Sequence, residues 1–192
     1  MDESSLGNNT DISLISRETD ANTSINTSFE SQIPISPNLK NHIITAIALN
    51  LKDLIEENKL NNQFVWKNNI FYLEQIPPIS LEDYIHHLVK YTNMNISTLI
   101  LSIIYIDQFC EKYKYILSLN NIYRLLLISI FISLKFNEDM IVDAKIFANI
   151  AGVSVEDLKN LELQMCSALN FRFFVKSEYY QQYFAYFSKY SI

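Results

Sequence analysis

The stretch from Asn120 to Phe136 leaves this chain little freedom. Between Arg124 and Lys135 lie ten residues without a charge, and only Ser129 and Ser133 among them are polar. A helix that is apolar on every side cannot lie on a surface and must be enclosed by other elements. An uncharged run of that length also falls well short of the roughly 20 residues a bilayer crossing needs. The segment therefore reads as the central helix of a globular core, with Asn120 placed to N-cap it. Ser129 and Ser133 share one face, where a neighbouring helix can approach closely. Lys135 then sets a cation in the last turn of the most buried helix.

The remaining composition points the same way. Two Gly and four Pro in 192 residues disfavour a turn-rich β architecture, while twelve Phe and twelve Tyr supply a large core. A net charge of −6 argues against a nucleic-acid partner, whose phosphates are normally neutralised by a basic face. Cys110 and Cys166 have no CxxC or Cys/His spacing and read as buried free thiols of a reducing compartment. The polar, acidic start has no apolar run of the signal-peptide kind, so a cytoplasmic or nuclear location is expected. No membrane partner is expected either.

Residues 1–38 read as a disordered or adaptable polar tail. Ser36-Pro37 has two physical readings: an N-cap with Pro at the first helical position, or a proline-directed phosphorylation site. From Leu39 onward, Ile44, Ile47, Leu51, Leu54 and Ile55 recur at helical spacing. The connector after it carries Phe64, Trp66, Phe71 and Tyr72, expected as a strap over the core. Ser80 and Asp83 form a capping-box-like pair before a helix with Leu81, Tyr84, Ile85 and Leu88 inward. His86 and His87 are adjacent, project about 100° apart, and cannot converge on one metal. Ser97 is expected to cap the next helix, in which Asp107 is an acid that burial obliges to be paired. Asp143 and Gly152 bound a short helix, Ser154 opens another, and Ser177 is expected to cap the last. The sum is seven helices: an all-α domain over 39–192.

No phosphate loop, dinucleotide fingerprint, zinc-protease helix or nucleophile elbow occurs, and His42, His86 and His87 make no triad with either Cys. Neither an enzyme, a cofactor nor a metal is expected. What stands out is charge where burial is expected. Leu158, Leu161, Met165 and Leu169 form one stripe, and Glu162 lies only about 40° from its centre at 100° per residue. Lys135 and Glu162 therefore read either as an internal pair, with Lys135 also facing its helix dipole, or as groups aimed at another molecule.

Three separated blocks carry a resemblance: PPISLEDYIHHLVKYTNMNISTLILSIIYIDQF, then SLNNIYRLLLISIFISLKF, then FANIAGVSVEDLKNLELQMCSALNFRFFV. In order and spacing they resemble the cyclin box of the P-type, or U-type, cyclins, the group related to the yeast phosphate-signalling cyclin. The likeness covers about residues 39–190, with the tail outside it. It implies a single five-helix cyclin box with flanking N- and C-terminal helices. It also implies a regulatory subunit that forms a heterodimer with a cyclin-dependent kinase, clamping the mobile helix of the kinase N-lobe. Lys135, in SLKF, matches the family's kinase-contacting lysine, and Glu162, in LELQ, its companion glutamate. Phe136, Leu158 and Leu161 would add apolar contact, and Glu138 and Asp139 would meet basic groups near the activation segment. Asp107, in YIDQF, matches the acid that braces the box internally. Gln108 and His87 depart from the pattern, standing where Arg is usual. The competing reading is a kinase-independent scaffold on the same fold.

Overall fold

The structure, a computed structural model, describes residues 36–138 and 142–190. These form seven helices and no strand: α1 (Pro37–Leu60), α2 (Leu81–Thr92), α3 (Ile96–Tyr113), α4 (Ile122–Asn137), α5 (Ala144–Ala151), α6 (Val155–Ala168) and α7 (Ser177–Lys189). Helices α2 to α6 are the five that the resemblance implies, and α1 and α7 flank them. Every residue of α4 from Ile122 to Leu134 is buried except Arg124. It lies along α3, itself sunk in the core, and against α6. Ser133 supplies the expected close approach: its hydroxyl donates to the Thr98 carbonyl of α3 at 2.8 Å. Ser129 instead donates to Leu125 within its own helix, at 2.6 Å.

Helix α1 packs on α2 and α7, and α5 bridges α2 and α6. Asp107 of α3 is fully buried and accepts a hydrogen bond from the Tyr183 hydroxyl of α7, so a carboxylate ties the last helix to the centre. His87 donates through Nε2 to the Ile150 carbonyl at 2.8 Å, joining α2 to the end of α5. Arg124 holds three elements at once. Its guanidinium donates to the Ile70 carbonyl at 2.5 Å and to Asp157 of α6 at 2.7 Å.

Ser36, Ser80, Asp143 and Ser154 each accept a main-chain N–H of the helix they precede, and Gly152 takes the left-handed conformation after α5. Ser80 also donates its hydroxyl to Asp83 at 2.7 Å. Three expected caps are displaced. Asn120 points away from α4 and donates to the Leu73 carbonyl at 2.7 Å, while Asn121 takes the cap position. Ser97 already lies within α3, whose cap residue is Asn95. Ser177 is the first residue of α7, after Lys176.

The aromatic connector is a strap for half its length only. Phe71 is buried edge-to-face against Phe109 and Tyr115. Phe64 and Trp66 stand in solvent and pack on each other, with ring centroids 6.0 Å apart. Two rings can satisfy each other edge-on without a core beneath them.

Candidate functional site

The end of α4 and the middle of α6 meet at the surface. Lys135 is in the last turn of α4, and Glu162 is two turns into α6. Lys135 Nζ donates to Glu162 Oε1 at 2.5 Å, with the side chains 42% and 23% exposed. The ammonium also sits 5.3 Å from the Phe131 ring centre, a cation over an aromatic face. The pair is thus internal to the chain, yet it faces outward. An ammonium has three N–H donors and a carboxylate about four acceptor sites, so one mutual bond leaves both able to bind a second molecule. Cys166, one turn along α6 from Glu162, is buried. Burial, then the Glu162 carboxylate, push its thiol up, and Lys135 draws it back.

Next to each of these charges the chain carries an exposed apolar residue, the start of a rim. Phe136 is 58% exposed and Leu163, beside Glu162, is 61% exposed. After α6, Asn170 and Phe171 both adopt positive φ, of 53° and 54°, and turn the chain into an extended link. That turn leaves Phe171 65% and Phe174 88% exposed, whereas Phe173 and Val175 point inward. Phe173 packs on Phe136 with ring centroids 4.4 Å apart, so the link that carries Phe174 lies against the end of α4.

Two expected contributors are not on this surface. Leu158 and Leu161 are fully buried, because they belong to the α6 stripe that packs on α4 and α5. Residues of one stripe cannot both fill the core and meet a partner. Leu163, Phe171 and Phe174 are the exposed apolar groups in their place. The alternation in FRFFV held part of that signal, since an extended link must turn Phe173 and Phe174 to opposite sides.

Glu138 is held within the chain. Its carboxylate accepts from the Asn95 main-chain N–H at 2.9 Å, the Asn95 amide at 2.7 Å and the Thr98 hydroxyl at 2.5 Å. It fixes Asn95, the cap residue of α3, and Thr98 in the first turn, where a negative charge also suits the helix dipole. Glu138→Ala is expected to cost about 1–2 kcal/mol, the range of a lost N-cap, read as a lowered melting temperature. Asp139 lies outside the described residues.

A cyclin family model matches residues 8–173. The chain belongs to the cyclin family. The relatives it resembles include plant cyclins of the U and P types. Over 141 residues it is 30% identical to Cyclin-U2-1 of Arabidopsis thaliana, covering 69% of this chain and 64% of that protein. Cyclin-U4-1 of the same plant is 24% identical over 158 residues, 80% of this chain and 78% of the relative. Cyclin-P3-1 of Oryza sativa subsp. japonica is 26% identical over 132 residues, 69% and 54%. The chain therefore spans just under two thirds of Cyclin-U2-1, and the all-α fold fits a cyclin box. The family match starts at residue 8, inside the stretch that the sequence reading set apart as tail. Among the described residues, no three His, Cys, Asp or Glu side chains gather into a metal site. No described helix is long and apolar enough to cross a membrane.

Proposed function

We propose that this cyclin is the regulatory subunit of a cyclin-dependent kinase, and that the Lys135–Glu162 face receives a helix of the kinase N-lobe. The observation that carries the reading is an outward-facing ion pair with the exposed Phe136 and Leu163 beside it in sequence, and the exposed Phe174 on a link that packs against Phe136 through Phe173. An amphipathic helix laid on such a surface would bury its apolar side on the rim and fix its register through the two charges. The mechanism is population shift. A kinase whose activating Lys–Glu pair is broken samples the active arrangement rarely, and a ligand that prefers that arrangement raises its population. Gripping the helix that bears the kinase Glu supplies that preference. The charge balance of the box suits a protein partner better than nucleic acid. Of the net −6, the first 35 residues carry −5 (one Arg, six acids) and residues 36–192 only −1 (14 cations, 15 acids).

Ser36 adds a proposed control point. It is exposed at the start of α1 and followed by Pro37, the arrangement a proline-directed kinase accepts. We place the complex in the cytoplasm or nucleus, where such kinases work.

The test is capture of recombinant cyclin-dependent kinases by wild-type protein and by the Lys135→Ala/Glu162→Ala double variant, followed by a histone phosphorylation assay. Binding and activation by wild type alone support the reading. Stable binding without a gain in activity would make the protein a scaffold.

A further inference from the structure

The two arms of the rim come from different parts of the chain, and something must hold them in register. Phe136 ends α4. Phe174 stands in the link after α6. Between them lies Phe173, whose ring packs at a tilt on Phe136 with centroids 4.4 Å apart and edge-to-face with Tyr105 of α3 at 5.5 Å. Tyr105 is wholly buried, and its hydroxyl donates to the Phe173 main-chain carbonyl at 2.9 Å. That carbonyl belongs to an extended link with no sheet partner, so its orientation rests on this bond. From the other side Asn137 reaches in. Its amide donates to the Ser133 carbonyl at 2.9 Å, to the Ser133 hydroxyl at 3.2 Å and, most weakly, to the Tyr105 hydroxyl at 3.4 Å.

We infer that Tyr105, seconded by Asn137, is the positioning residue of the docking face, holding the Phe173–Phe174 link against the end of α4. The inference rests on the docking role proposed for that face and deepens it. Tyr105 touches no partner itself. It acts through Phe173, fixing the ring that Phe136 leans on and the backbone from which Phe174 projects. The hydrophobic core would accept a phenylalanine here equally well. What the hydroxyl adds is the direction of one carbonyl, and hence the separation of two exposed rings.

Tyr105→Phe isolates that contribution, since only the oxygen is removed. A hydrogen bond of this kind changes an equilibrium by about three- to tenfold. The aromatic carbon–proton NMR spectrum is recorded first, on the free protein. Phe136 and Phe173 ring signals are expected to move, while those of Phe131 and Phe147, stacked on each other in the core, stay in place. Affinity for an activating kinase is then expected to fall about three- to tenfold, with Asn137→Ala giving a smaller loss in the same direction. The spectrum reports the clasp without any kinase, so the two readings fail separately. Ring signals unmoved by Tyr105→Phe would overturn the positioning role, whatever binds. Moved signals with unchanged kinase affinity would overturn it too. A wild type that binds no kinase would overturn the docking reading, and this role with it.

Discussion

Lys135→Ala is expected to abolish kinase activation while leaving the fold nearly untouched, and Glu162→Ala to do the same. The two effects separate because the pair sits in two environments. In the free protein it is partly exposed, and exposed pairs contribute only about 0–1 kcal/mol. Helix content by circular dichroism should therefore match wild type, with little change in urea midpoint. Under a docked helix the same charges lose their water. Truncating one member of a desolvated, hydrogen-bonded charge pair typically costs about 2–5 kcal/mol, or about 30- to 5,000-fold in affinity. Lys135→Arg separates charge from geometry. It keeps the cation but replaces a compact ammonium with a planar fork, so partial binding is expected. A variant that unfolds would show the pair to be a core brace. One that stays folded and still activates would remove these charges from the interface.

The seven helices were legible because apolar periodicity is a local signal, and α4 announced itself through the absence of any polar face. The charged pair was legible for the opposite reason: a carboxylate close to an apolar stripe is an exception, and exceptions stand out. What misled was proximity in sequence. Asn120, Ser97 and Ser177 lie one or two places from the true cap positions, which Asn121, Asn95 and Lys176 hold, and Asn95 is itself fixed by Glu138, 43 residues away. No window along the chain contains that bond. Leu158 and Leu161 show a second limit. They were correctly placed on the inward stripe of α6 and then also assigned to a partner surface, which the stripe itself forbids. The link after α6 shows a third. Alternation dictates that Phe173 and Phe174 face opposite ways, but only the left-handed turn at Asn170 and Phe171 decides which one faces out.

Raising the pH past 10 is expected to unfold the domain cooperatively. Tyr84, Tyr115, Tyr180 and Tyr183 are all buried. Burial pushes the Tyr115 and Tyr180 hydroxyls up to about 12, the bonds to Asn69 and Asn121 offsetting part of the effect at Tyr115. Tyr84 rises further, through burial and then neighbouring Tyr123. Tyr183 is raised by burial and next by the Asp107 carboxylate that its hydroxyl meets. In the unfolded chain each phenol ionises near 10. Above that pH the unfolded state has lost protons that the folded state keeps, so stability is complete below about pH 10 and falls as pH rises. By about pH 11 each of these four withdraws on the order of 1 kcal/mol, together a sizeable part of the about 5–15 kcal/mol of a typical domain. Far-ultraviolet circular dichroism should therefore fall in one steep step between about pH 10 and 12, with a matching step in the tyrosinate absorbance from the buried rings. Tyr180→Phe, which cannot ionise, should move that step to higher pH. If all twelve tyrosines instead titrate smoothly near their ordinary value with helix content intact, water reaches these hydroxyls in the folded state, and Asp107 then owes its anchorage to something other than a dry core.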